Sequence, residues 1–305
     1  MEAIDQARFH VSPAFGMALA FMVAFLVFAV ALDLKWEQFR RVLRSPKAPG
    51  IGLLAQFVVL PAVAFAVGRI FGSAPGIALG LLLVASCPGG ALSNYLTGVA
   101  RGNVAMSVSM TAVSTASCIV ITPVVFTFWA SMNPATAELL ADVRVDPTRV
   151  VQALVVMLLL PVGAGMFISM KRPETARALR TRVRRAAIVV FAITVVMVLG
   201  QNASLLLAYT MEALLPVVVA FLAAVGLGWG LARAFGLAPG DARAVAFEVG
   251  LQNVALAIGI AVAVFPELPG VVVTAALWGV VHVAGGLTLA AAWSRAPVAQ
   301  PALAG

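Results

Sequence analysis

Glu248 lies inside the apolar run AVAFEVGLQNVALAIGIA, several residues from either end. The other eleven of the chain's twelve acidic residues sit in loops, tails or at the edges of apolar runs. A carboxylate at mid-membrane depth costs roughly 3 kcal/mol on insertion scales, so it marks a functional site by default. The bland alternative is a protonated glutamate that only bonds neighbouring helices. Gln252 follows four residues later on the same helical face, and Gly250 and Asn253 add a flexible position and a second amide. Far upstream, VASCPGGALSN repeats the theme. Pro88 lacks a backbone donor and the pair Gly89-Gly90 is entropically costly in a helix, so a helix breaks there, just before Ser93 and Asn94. In GNVAMSVSMTAVST, Ser107, Thr111 and Ser114 fall at i, i+4 and i+7, one helical stripe. Hydroxyls in membrane helices often bond only their own i−4 carbonyl or a neighbouring helix, so this stripe alone is open to both readings. Gln56, in LLAQFVVLP, is a further candidate buried amide.

These side chains offer hydroxyl, amide and carbonyl oxygens around one carboxylate. Such a set suits a hard cation such as Na⁺, and no clustered Cys or His points to a transition metal. The two cysteines, Cys87 and Cys118, lie in apolar segments and suggest neither a disulfide framework nor a zinc site.

The elements that must position this set are membrane helices. Of 305 residues, 62% are hydrophobic and 10% charged, well below the charge content of soluble domains. Apolar runs of about 20 residues recur along the whole chain. Nine spans are expected, at 13–32, 50–71, 76–99, 103–131, 149–170, 186–208, 212–235, 241–264 and 269–293, with no soluble domain between them. Ala29-Val30-Ala31 resembles a signal-peptidase site, but the preceding run is long and a basic cluster follows, so the segment reads as a retained helix.

Lysine and arginine test the count. Sixteen of the 20 basic residues fall on alternate connections, 33–48, 100–102, 171–185 and 233–243, and on the C-terminal tail. The opposite connections carry Glu138, Asp142, Asp146, Glu212 and Glu267. Cytoplasmic loops hold the basic excess, so the N-terminus is expected outside and the C-terminus inside a bacterial inner membrane. The net charge of +8 then reflects membrane orientation, and no nucleic-acid partner is needed.

Two breakable spans, the third and the eighth, each carry polar amides at mid-membrane. Secondary transporters use such discontinuous helices, drawn from inverted repeats, to coordinate ions at the bilayer midplane. Irregular backbone is tolerated there only around a protected polar site.

CPGGALSNYLTGVARGNVAMSVSMTAVST and FEVGLQNVALAIGIA resemble the two signature regions of the bile acid:sodium symporter family, in the same order and about 130 residues apart. The resemblance implies an all-α polytopic fold forming one transmembrane transporter domain over 1–305. It implies a panel (13–32 and 149–208) packed on a core (50–131 and 212–293) that contains two crossing, broken helices. It implies two sodium ions, a small organic-anion substrate and alternating access. One ion would take Ser93, Asn94, Ser107, Thr111 and Glu248. The other would take Gln56, Glu248 and Gln252, with backbone oxygens near Val249 and Leu251. Ala91, Asn253 and His282 would face the substrate. Some bacterial relatives have ten spans. Here the first is expected to be missing, leaving a four-plus-five repeat. Relatives often have threonine where this chain has Ala91, and a polar residue at the position of Val283, so substrate identity stays open. His282 reads equally well as an anion contact or a helix-packing histidine.

Two rival readings remain. An intramembrane serine hydrolase would pair Ser93 with His282, but its serine spacing is wrong and Glu248 would have no task. A related carrier driven by protons, or an arsenite efflux protein using Cys87, would keep the core and change the coupling. No enzymatic activity is expected.

Overall fold

The computed structural model describes residues 34–142, 155–179, 203–265 and 267–295, with scattered positions at 21–32 and 181–189. Most of the expected first and sixth spans, and Asp146, lie outside the described residues.

Residues 173–179 are helical, and eleven other helices have bounds within the described residues. They are α1 (Trp36–Arg44), α2 (Lys47–Ile70), α3 (Pro75–Ser86), α4 (Ala91–Val99), α5 (Val104–Ser131) and α6 (Pro134–Asp142). After these come α7 (Val155–Lys171), α8 (Ala203–Ala234), α9 (Pro239–Gly250), α10 (Val254–Val264) and α11 (Pro269–Arg295). Among the described residues, four stretches are long and apolar enough to cross a membrane: Lys47–Ile70, Val104–Ser131, Thr210–Ala234 and Pro269–Arg295. The 12-residue α3 and α9 are each roughly 18 Å long and cannot span a hydrocarbon core alone. Each is completed by the half-helix that follows it. α8 packs along α9 and α11, while α3 packs between α11 and α2.

Local sequence explains the irregularities. Proline opens α3 and α9 at their first turns, where its missing donor is harmless. Within α2, Ala55–Val59 forms a wide π-helical turn and the Leu60 N–H reaches back to the Ala55 carbonyl. Pro61 follows immediately. Its ring has no N–H and crowds the carbonyl four residues back, which favours the widened turn. The motif recurs in α7, where a π turn at Val155–Leu159 precedes Pro161.

Three expectations shift. The connections 33–48 and 132–148 are not simple loops, because each contains a nine-residue helix, α1 and α6. A boundary between a span ending at 208 and another starting at 212 is not observed, because α8 runs unbroken from Ala203 to Ala234. ASLLLAYTMEALL contains neither Gly nor Pro, and its Ala, Leu and Met residues favour continued helix.

The two ends of the bundle are tied separately. At one end, Arg243 donates to the carbonyls of Ala100 (2.6 Å) and Trp293 (3.2 Å). Nearby, Asn103 donates to Asp241 at 2.7 Å. At the other end, Arg69 donates to Asn133 and the Ala74 N–H donates to Glu212, both at 3.4 Å.

Candidate functional site

Helix α3 stops at Ser86, and Cys87 turns to an extended conformation. Gly89 and Gly90 run on extended until α4 starts at Ala91. Helix α9 stops at Gly250, and the Asn253 side chain caps α10 by accepting from the Leu256 N–H at 3.1 Å. These two gaps cross. The Gly90 N–H donates to the Leu251 carbonyl at 2.9 Å, the Asn253 N–H donates to the Pro88 carbonyl at 2.8 Å, and Gly89 pairs with Gln252 in an antiparallel bridge. Backbone groups freed by each break are thus satisfied by the other break, as a low-dielectric setting demands.

Glu248, on the last turn of α9, is fully buried beside this crossing. A Cβ on Gly89 would collide with its carboxylate, so only glycine admits the side chain there. Three hydroxyls converge on the carboxylate. Ser93 of α4 donates to Oε2 at 2.6 Å, Thr111 of α5 donates to Oε1 at 2.7 Å, and Ser107 approaches Oε2 at 3.3 Å. The first two are short, as charge-assisted O–H···O⁻ bonds are. Asn94 Oδ1 stands 3.3 Å from the Thr111 hydroxyl. Ser93, Asn94, Ser107, Thr111 and Glu248 therefore form one oxygen cage, drawn from three helices.

A second group adjoins it. The Gln252 amide donates to the Val249 carbonyl at 2.6 Å, and Gln56 donates to Gln252 Oε1 at 3.3 Å. Gln56 sits on the π turn of α2 and is fully buried, yet its Oε1 has no hydrogen-bond partner. An acceptor left bare in the interior costs free energy, and a cation would relieve it. The Leu251 carbonyl holds the crossing together through Gly90, using one of its two lone pairs. Among the described residues no three His, Cys, Asp or Glu side chains converge. The donor set is oxygen throughout.

The expected substrate residues are not gathered in this way. Ala91 is exposed at the start of α4, Asn253 acts as a cap, and His282 is buried on α11 with Nδ1 unpartnered. Ser114 only returns its hydroxyl to the Thr111 carbonyl, at 3.1 Å. The Ser93 hydroxyl contacts the Gly90 carbonyl and Glu248, so it is committed to the cage. Cys87 packs, fully buried, in the same apolar cluster as Cys118.

Sequence reading missed Thr97, which is buried one turn beyond Ser93 with its hydroxyl 3.4 Å from Ser107. Its i+4 spacing from Ser93 was the available signal. Asn103 was also missed: it caps α5 through the Met106 N–H at 3.1 Å, setting the start of the helix that carries Ser107 and Thr111.

A family profile described as the Sodium Bile acid symporter family matches residues 20–209. A probable sodium/metabolite cotransporter of chloroplasts from Arabidopsis thaliana is 32% identical over 272 residues, covering 89% of this chain and 65% of the relative. The chain thus spans just under two thirds of that relative's length. An uncharacterized sodium-dependent transporter of Bacillus subtilis is 31% identical over 280 residues, 91% of this chain and 83% of the relative. The human ileal sodium/bile acid cotransporter is 29% identical over 259 residues, 83% of this chain and 72% of the relative.

Proposed function

We propose that this chain, which belongs to the sodium bile acid symporter family, moves an organic anion across the membrane together with two sodium ions by alternating access. The observation that carries this reading is the buried Glu248 carboxylate inside a cage made only of oxygens, at the crossing of two broken helices. One ion takes Ser93, Asn94, Ser107, Thr111 and Glu248. The other takes Gln56, Gln252, Glu248 and the backbone near Val249 and Leu251. The bare Gln56 Oε1 supports the second position.

Coupling follows from charge. Two cations beside one carboxylate leave a net positive charge in a low-dielectric site, and an anion offsets it. Either partner therefore binds better when the other is present, and the linkage is reciprocal. Ala91, Asn253 and His282 face the substrate in this reading. The substrate is a bile-acid-like or smaller carboxylate, in line with the bile acid and metabolite named for the relatives. The panel is 13–32 with 149–202, since α8 carries the residues from Ala203 on into the core, and it rocks against the core formed by 50–131 and 212–293.

The test is uptake of radiolabelled candidate carboxylates into proteoliposomes in sodium or choline buffer. Uptake needs sodium, and Glu248→Gln abolishes it while the protein stays folded in detergent. Sodium-dependent uptake at the wild-type rate by Glu248→Gln overturns the ion sites. Equal uptake in choline overturns sodium coupling in favour of a proton.

A further inference from the structure

Helix α1, WEQFRRVLR, mixes Trp36, Phe39, Val42 and Leu43 with Arg40, Arg41 and Arg44. None of its residues is buried, and Trp36 and Leu43 are 46% and 75% exposed. Short helices with exposed aromatic and aliphatic side chains among arginines lie in the membrane interface, where both groups are satisfied. α1 rests against α5. Between it, the first turns of α5, the end of α7 and the residues that follow lies an open cavity of about 890 Å³. Three cations, Lys35, Arg41 and Arg177, line it against one carboxylate, Glu37. Val104 and Val108 of α5 and Met170 add apolar wall.

This cavity is separate from the ion cage. It shares no lining residue with the cage, and Ala105 and Ser109 of its α5 wall are turned roughly 160° around the helix from Ser107. Its volume falls in the range of small-molecule pockets. It offers an excess of two positive charges beside apolar surface, at the end of the bundle where the basic connections meet. A phosphodiester headgroup with its glycerol and upper acyl chain matches both features, because juxtamembrane basic pockets hold anionic headgroups.

We propose that the cavity between α1, α5 and residues 169–177 binds the headgroup of an anionic phospholipid, with its phosphate held by Lys35, Arg41 and Arg177. The site lies between panel residues 169–177 and the core helix α5, and its lipid is distinct from the transported anion.

Purified, delipidated protein in neutral detergent is titrated with phosphatidylglycerol, with phosphatidylcholine of the same chains, and with glycerol 1-phosphate, while the melting temperature is followed. Phosphatidylglycerol raises it, and the other two do not. In the variant Lys35→Gln/Arg41→Gln/Arg177→Gln the concentration needed rises on the order of 100-fold. All three side chains are exposed, so the variant folds, and its own lipid-free melting temperature is the reference. A control, Arg40→Gln/Arg44→Gln/Arg172→Gln, loses the same charge from the same connections outside the cavity and keeps most of the effect. An equal loss in the control overturns the site, as does an equal shift with phosphatidylcholine. A full shift with glycerol 1-phosphate assigns the cavity to free phosphate and overturns the lipid.

Discussion

Thr111 spends its hydroxyl on the carboxylate of Glu248, 137 positions away in sequence, at 2.7 Å. Thr111→Val keeps the shape and removes one oxygen from the cage. A hydrogen bond to a charged group is worth about 1.5–3 kcal/mol, so the sodium concentration for half-maximal uptake rises about tenfold or more, and excess sodium restores transport. His282→Ala changes apparent substrate affinity instead. Linkage mixes these effects in transport data, because a weaker ion also weakens its coupled anion. The decisive measurement is sodium binding to substrate-free protein. If His282→Ala lowers it as much as Thr111→Val does, the division between ion and anion residues is wrong. The members of the cage were legible because polar residues stand out in apolar spans. Which oxygen meets which was not, since Ser93 and Glu248 are 155 positions apart and nothing local encodes their approach. Thr97 escaped notice because a buried threonine in an apolar run reads as packing until Ser107 is seen beside it.

At the scale of elements, the breaks at Pro88-Gly89-Gly90 and at Leu251–Asn253 were legible from proline, glycine and amides. Their pairing into a crossing was expected only through the family resemblance, because backbone hydrogen bonds between distant segments leave no trace in residue types. The π turn of α2 was equally hidden. It rotates Gln56 toward Gln252, and Pro61 is the local cause we assign. Pro61→Ala supplies the missing N–H and lets α2 close ordinary helical turns, moving Gln56 by up to roughly 100°. The expected outcome is loss of the second ion with the first retained. The Hill coefficient for sodium then falls toward one, while Thr111→Val still weakens what binding remains. An unchanged Hill coefficient in Pro61→Ala means that the π turn does not place Gln56 for an ion.

Across the whole molecule, each end of the bundle is closed by its own contacts, and this bears on orientation. Arg243 is 7% exposed and ties the ends of α4 and α11 to α9, with its guanidinium 5.7 Å from the Trp293 ring. That end gathers connections 100–102 and 233–243 and the C-terminal tail, all on the basic side of the sequence alternation. Connection 132–148 begins at the opposite end, where Asn133 meets Arg69. The alternation of lysine and arginine was therefore a sound guide to which loops share a side, although it predicted neither α1 nor α6 inside those loops. If the basic side faces the cytoplasm, Thr175 is internal and Ala135 external. Both positions are exposed, and the native thiols Cys87 and Cys118 are fully buried, so the wild-type chain gives a low labelling background. On intact cells a membrane-impermeant maleimide labels Ala135→Cys and spares Thr175→Cys until the membrane is permeabilised. The reverse pattern inverts the protein, and labelling of both positions from outside breaks the shared-side assignment itself.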